Sequence, residues 1–337
     1  MAEPATPKTI DPYKQLRITL NPDGSLTRAT LFPNSPATGN EPSSDPPNSV
    51  LSKDVPLNST NNTWLRLFIP TASGAAGAAL PLIIYFHGGG FILYSAASQP
   101  FHASCSRMAA ELPAVIASIE YRLAPEHRLP AAYDDAVEAI RWIQAQAMDR
   151  SNGDPWLRAH VDFNQCYLMG SSAGGNIVYH TALRTVGLDL DPVKIQGFIL
   201  NQPYFGGVRR TESELRLKDD RIVSMQSNDL IWELSLPTGS DRDHEYCNPM
   251  VVRLDRVGEI GLLREKKWLV RGYGGDPLVD RQKELGKMLE SYGMNVVTRF
   301  DETGFHAVEL FDPAKAQALL DDIKEFIHSS GSCAAAN

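Results

Sequence analysis

Cys166-Tyr167-Leu168-Met169-Gly170-Ser171-Ser172-Ala173-Gly174 decides how the rest of the chain is read. An apolar run leads straight into Gly-x-Ser-x-Gly, and residues 174–185 continue with helical character. A strand that turns so abruptly into a helix leaves room only for glycine at the flanks and pushes the Ser172 hydroxyl into the open. Ala173 then begins the helix, so its N–H has no partner inside the helix and can face negative charge. The pentapeptide alone is weak evidence; the strand before it and the helix after it give it meaning.

A second glycine-framed motif, His87-Gly88-Gly89-Gly90-Phe91, follows the apolar run Pro81-Leu82-Ile83-Ile84-Tyr85-Phe86. Consecutive glycines let backbone amides turn inward with no Cβ in the way. Gly88 and Gly89, together with Ala173, are the expected donors of a three-membered oxyanion hole, with Gly90 in reserve. The motif is not a phosphate loop, because no Gly-Lys-Ser/Thr follows and no acidic ribose partner is suitably placed. His87 reads as a structural ring that ties down the loop. Phe91 and Trp232 are the expected substrate contacts.

An exposed serine needs a base, and in a strand-turn-helix setting of this kind the chain order is serine, acid, histidine. His306, in Gly304-Phe305-His306-Ala307, sits in a loop just after the strand expected over 296–300, whereas His244 falls in an irregular stretch and His328 on a polar helix. For the acid, Asp276 in Gly274-Gly275-Asp276-Pro277-Leu278 comes just after the strand expected over 267–271. Its rivals read otherwise: Asp280 as a cap of the next helix, Asp301 as an anchor of the loop entry. Ser172 would then attack an ester carbonyl, His306 take and return the proton, and Asp276 hold the ring. This chemistry requires neither metal nor organic cofactor. It needs neutral imidazole, so activity should fall below the pKa of His306, nominally about 6.5.

Around these motifs, apolar runs alternate with amphipathic segments, the pattern of an α/β fold with a parallel sheet and crossover helices. Strands are expected over 64–69, 82–86, 114–120, 166–170, 195–200, 267–271 and 296–300. Helices are expected over 101–111, 131–147, 174–185, 281–292 and 314–328, with Pro130 in a first turn and Gly293 at a C-terminal end. Asn21-Pro22-Asp23-Gly24 marks a turn, either of a hairpin or between a short helix and a strand. Residues 33–62, rich in Pro, Ser and Asn, read as a long surface connection that supplies few core residues. Residues 205–263 break the rhythm. Their amphipathic piece Asn228-Asp229-Leu230-Ile231-Trp232-Glu233-Leu234 reads as part of a cap over the carboxyl ends of the strands, where such sheets bind ligands.

The bulk properties narrow the possible partners. The chain has 337 residues, 43% hydrophobic and 21% charged, ordinary values for a globular protein with a large core. A net charge of −8 and a pI near 5.5 provide no basic field for nucleic acid or an anionic membrane. The longest apolar stretch, 74–86, is too short to span a bilayer and is interrupted by Pro81. No secretory signal is visible at the start, so the expected location is cytoplasmic. Cys105, Cys166, Cys247 and Cys333 are scattered and read as free thiols. No apolar heptad calls for a partner helix, and a monomer is expected.

At His87-Gly88-Gly89-Gly90-Phe91, Tyr121-Arg122-Leu123-Ala124-Pro125-Glu126-His127, Pro130-Ala131-Ala132-Tyr133-Asp134-Asp135, the serine turn, Asp276-Pro277-Leu278 and Gly304-Phe305-His306, the chain resembles the hormone-sensitive-lipase-like group of α/β-hydrolases. Within that group it is similar to the plant carboxylesterases of the kiwifruit type, over about residues 11–327. The resemblance implies a single α/β-hydrolase domain over 1–337. It also implies a helical cap from about 1–45 and 205–245, to which Asp11-Pro12-Tyr13-Lys14-Gln15-Leu16 contributes. It further implies short-acyl ester substrates and irreversible modification of the serine by organophosphates. Glu126, Asp134 and Asp135 read as packing and anchoring groups. Ser171 departs from the many relatives with Asp or Glu before the nucleophile, which would alter hydrogen bonding behind the site. Two alternatives share the scaffold: gibberellin receptors, which lack the base histidine, and isoflavanone dehydratases, which eliminate water.

Overall fold

The computed structural model describes residues 11–39, 50–71, 79–251, 261 and 263–328. A short helix, α1 (Pro12–Leu16), leads into a hairpin of β1 (Ile18–Leu20) and β2 (Leu26–Arg28), so the N-terminal turn joins two strands and a helix precedes both. Next come β3 (Val50–Asn58), β4 (Thr63–Pro70), β5 (Leu80–Phe86), α2 (Gln99–Glu111), β6 (Val115–Glu120), α3 (Ala131–Met148), α4 (Pro155–His160), β7 (Val161–Ser171) and α5 (Ala173–Thr185). The remainder is β8 (Ile195–Asn201), α6 (Glu212–Arg216), α7 (Met225–Ser235), β9 (Lys267–Tyr273), α8 (Val279–Ser291), β10 (Asn295–Asp301) and α9 (Pro313–His328).

The sheet runs β10-β9-β8-β7-β5-β6-β4-β3, with β3 and β4 antiparallel to their neighbours and the other pairs parallel. Successive side chains of a strand point to opposite faces, and here both faces are apolar. Leu82, Ile84, Phe86, Leu168 and Leu200 pack with Ala136 and Ile140 of α3, Ile177 of α5 and Leu285 of α8. Ile83, Tyr85, Met169 and Ile199 pack with Phe101 and Met108 of α2 and Leu319 and Ile323 of α9. Helices therefore cover both sides, and the loops leaving the carboxyl ends of β5, β7, β8, β9 and β10 meet along one edge.

One expectation fails within 33–62. Val50–Asn58 is a strand, not a surface connection, and pairs along the edge with β4. It is one-sided, with Val50 and Ser52 buried and Asp54 exposed, and Pro56 sits at a register shift. An edge strand tolerates proline because one side of its backbone has no ladder to complete. Pro130 precedes α3 instead of lying within its first turn, and Gly293 follows α8 with φ +75°. Cys105, Cys166 and Cys247 are buried free thiols, while Cys333 and the cap residues expected over 1–10 and 40–45 lie outside the described residues.

Candidate active site

Ser172 stands at the junction of β7 and α5 with φ +55° and ψ −119°. A non-glycine residue held there costs roughly 1–3 kcal/mol, so its surroundings must fix it. Its N–H donates to the Asn201 carbonyl at 2.9 Å, and its own carbonyl accepts from Gly175 at 2.9 Å and Tyr204 at 3.0 Å. The flanking glycines are steric necessities. A Cβ on Gly174 would run into the Phe86 carbonyl oxygen, and one on Gly170 into that of Gly174.

The loop after β10 brings His306 to this serine. Nε2 lies 2.8 Å from Ser172 Oγ, and Nδ1 lies 2.8 Å from Asp276 Oδ2. An ionised carboxylate only accepts, so Nδ1 carries the proton and Nε2 presents its lone pair to the hydroxyl. Asp276 is 0% exposed and His306 3%. Burial pulls the imidazole pKa down, but the charge and hydrogen bond of Asp276, joined by the charges of Asp220 and Glu309, outweigh it, and the net shift is upward from 6.5. The rival acids do other work. Asp280 does not cap its own helix; Oδ2 accepts from the Ser213 N–H at 2.7 Å and so ties α6 to α8. Asp301 is half-exposed and pairs with Lys315 at 3.3 Å.

Asp276 is held by residues the sequence reading did not single out. Gln202 Nε2 donates to Oδ2 at 3.0 Å and Gln282 Nε2 at 2.9 Å, while the Leu278 N–H donates to Oδ1 at 2.9 Å. Gln202 also grips the histidine loop, donating to the Phe305 carbonyl at 3.0 Å and accepting from the Ala307 N–H at 2.9 Å. The available signal was Asn201-Gln202, a polar pair at the carboxyl end of the apolar strand β8.

The N–H groups of Gly88, Gly89 and Ala173 donate to no protein group among the described residues. A Cβ on Gly88 would lie 3.2 Å from Ser172 Cβ, so that backbone passes directly beside the hydroxyl. Gly90 is further out, its Cα facing Ile231 of α7. Beneath the loop, His87 is fully buried, contacts the Gly88 carbonyl through Nδ1 at 2.7 Å and stacks on Tyr121 at 4.4 Å. Burial holds its pKa down at about 4, which keeps the ring neutral and structural.

A cavity of about 240 Å³ opens at Ser172 and His306. Phe91 and Trp232 do not line it, contrary to expectation. They are 1% and 0% exposed and pack on each other and on Tyr204, with ring centroids 5.6 Å apart and, for Trp232 with Tyr204, 4.8 Å. On helix α7 the next-door residue, Ile231, turns to the cavity, which sends Trp232 about 100° around toward the body. Across the cavity, Gln15 of α1 accepts from the hydroxyls of Ser224 at 2.6 Å and Ser227 at 2.7 Å, and donates to the Asp220 and Arg221 carbonyls, each at 3.1 Å. Glu126 anchors the hairpin through Arg28 and the Leu26 N–H, Asp135 pairs with Arg122, and Asp134 with Arg184.

Comparisons with known proteins give the family of the chain. A family model described as alpha/beta hydrolase fold matches residues 83–310. Probable carboxylesterase 8 of Arabidopsis thaliana is 54% identical over 335 residues, covering 97% of each chain. The 3-O-acetylpapaveroxine carboxylesterase CXE2 of Papaver somniferum is 44% identical, over 94% of this chain and 99% of its own. The gibberellin receptor GID1 of Oryza sativa subsp. japonica is more distant, 35% identical over 76% of this chain and 69% of its own. A solved esterase structure from Pyrobaculum calidifontis is similar with a TM-score of 0.66 at 25% identity, covering 82% of this chain and 84% of that one. With a matched family model across most of the sheet and relatives of this identity over nearly the whole length, the chain belongs to the plant carboxylesterases of the hormone-sensitive-lipase-like group of α/β-hydrolases.

Proposed function

We propose that Ser172 is the nucleophile, His306 the general base and acid, and Asp276 the orienting acid of this carboxylic ester hydrolase, acting through an acyl-enzyme. The observation that carries the reading is the continuous hydrogen-bonded chain from Ser172 Oγ through His306 to Asp276 at the mouth of the cavity. The unengaged N–H groups of Gly88, Gly89 and Ala173 would receive the oxyanion, each donor being worth about 3–4 kcal/mol in the transition state. Water then releases the acid by the same route in reverse. A gibberellin-receptor-like role is not favoured, because a base in hydrogen-bond contact with a serine serves turnover and the receptor is the more distant relative.

The substrates in this reading are short-acyl esters. A space of about 240 Å³ lies below the roughly 300–1,000 Å³ of typical ligand pockets. The cap comprises α1, the β1–β2 hairpin and residues 205–245, with Gln15 tying α1 to residues 220–227. The same serine would be phosphylated by organophosphates. The protein would act as a monomer in the cytoplasm, a reducing setting suited to three buried free thiols. No helix among the described residues is long and apolar enough to cross a membrane.

The test is release of p-nitrophenolate from a short-chain p-nitrophenyl ester. Ser172→Ala should lower kcat by about 10⁴- to 10⁶-fold. No release by the unaltered protein would remove hydrolysis, and release that survives the substitution would mean a different nucleophile.

A further inference from the structure

Beyond Ser172 the cavity reaches into the layer between the sheet and α2/α9, where Tyr85, Ser104, Ser171, Asn201 and Glu309 line it. Phe101, Leu310 and Leu319 line the same cavity, so these polar groups stand in an otherwise apolar layer. Glu309 lies in the 3-10 turn Val308–Leu310, three residues beyond His306, and its side chain is only 6% exposed. Its bonding is incomplete. Oε1 has no hydrogen-bond partner, and the Arg271 guanidinium stands 3.6 Å away while its Nε is engaged with Asp322 at 2.6 Å. Asn201 lines the cavity with it and favours the charged form of the carboxyl group. Ser171, directly before the nucleophile, receives long contacts from Tyr85 Oη at 3.5 Å and Asn201 Nδ2 at 3.3 Å. No acceptor for its own hydroxyl proton is found among the described residues.

A buried carboxylate with an unused acceptor site and a serine hydroxyl with an unused proton together match a group that both donates and accepts. We propose that Glu309 and Ser171 form a polar subsite that selects esters carrying a hydroxyl group within a few atoms of the scissile carbonyl. Burial pushes the Glu309 carboxyl up, and its backbone N–H, Arg271 and Asn201 restore it only in part, so an incoming donor relieves a cost already present in the fold. A plain alkyl chain in the same recess leaves that cost in place. Sites built around a buried polar group discriminate against the analogue that lacks the matching hydroxyl.

The inference rests on the hydrolase reading above, and the experiment separates the two. Two matched ester pairs are compared by kcat/KM: p-nitrophenyl butyrate with p-nitrophenyl 3-hydroxybutyrate, and ethyl butyrate with 2-hydroxyethyl butyrate. In at least one pair the hydroxylated ester should be preferred by about 10- to 100-fold, the worth of a hydrogen bond to a charged group. Glu309→Leu should bring that ratio close to one, and the near-isosteric Glu309→Gln should reduce it severalfold. The ratio is taken within one preparation, so it does not depend on the fraction folded; if Glu309→Leu fails to fold, Glu309→Gln decides. Ratios near one in both pairs for the unaltered enzyme, or ratios unmoved by the Glu309 substitutions, would overturn the subsite while leaving hydrolysis intact. Absence of turnover on all four esters would overturn the parent reading, and the subsite with it.

Discussion

At the carboxyl ends of β8 and β9, Asp276 is sealed from solvent and surrounded by His306, Gln202, Gln282 and the Leu278 N–H. Across the cleft, α7 turns Ile231 toward the same cavity, and Gln15 fastens it to α1. Removing a partner on the first side leaves a buried charge short of a bond, which costs about 3–5 kcal/mol when the pair is broken outright. Removing Gln15 on the second frees only neutral hydroxyls and loop carbonyls, which cost less to leave unpaired than a charge. The chemistry is therefore confined to the side where nothing can move cheaply. In the reading proposed above, the α1/α7 side would be able to change its side chains, and with them the substrate, without disturbing the proton relay.

Asp276→Asn breaks the comparison most severely. The amide cannot hold the ring in the same tautomer, and kcat should fall by about 10⁴-fold. The pH profile adds a check whose sign is fixed. The base works only when neutral and its pKa is raised above 6.5, so the acid limb of the unaltered enzyme should lie above 6.5. Burial lowers that pKa and Asp276 is the largest of the groups that raise it, so the residual activity of Asp276→Asn should carry its limb to lower pH. A limb that stays in place would detach Asp276 from the base. The smaller effect belongs to the cap. Gln15→Ala should raise KM by about three- to tenfold, with less change in kcat, and lower Tm by a few degrees, measured by steady-state kinetics and thermal unfolding. A loss expressed mainly in kcat would show that α1 reaches the reacting atoms and that the two sides are not separate.

The parts legible in the sequence were those with strong local chemistry. The central strands are short apolar runs, and the turn at Ser172 needs glycines that no other residue can replace. His306 and Asp276 could be chosen because each follows a strand closely. The edge strand Val50–Asn58 was missed because only one of its faces is buried and Pro56 breaks its pattern. Phe91 and Trp232 were assigned to substrate because aromatic residues near a site attract that reading, but a helix turn of about 100° per residue sends Trp232 inward and Ile231 to the cavity. Gln202, Gln282 and Glu309 act across 74, 6 and 108 positions of chain, respectively, from Asp276 or Asn201, and no local pattern announces such meetings.

The most direct test of the relay is covalent labelling. The protein is treated with diethyl p-nitrophenyl phosphate, digested, and the modified residue located by tandem mass spectrometry while remaining esterase activity is followed. One diethylphosphoryl group on Ser172, formed in step with p-nitrophenolate release and loss of activity, is the predicted result. A label on Ser171 or elsewhere, or full activity retained with Ser172 occupied, would contradict the account.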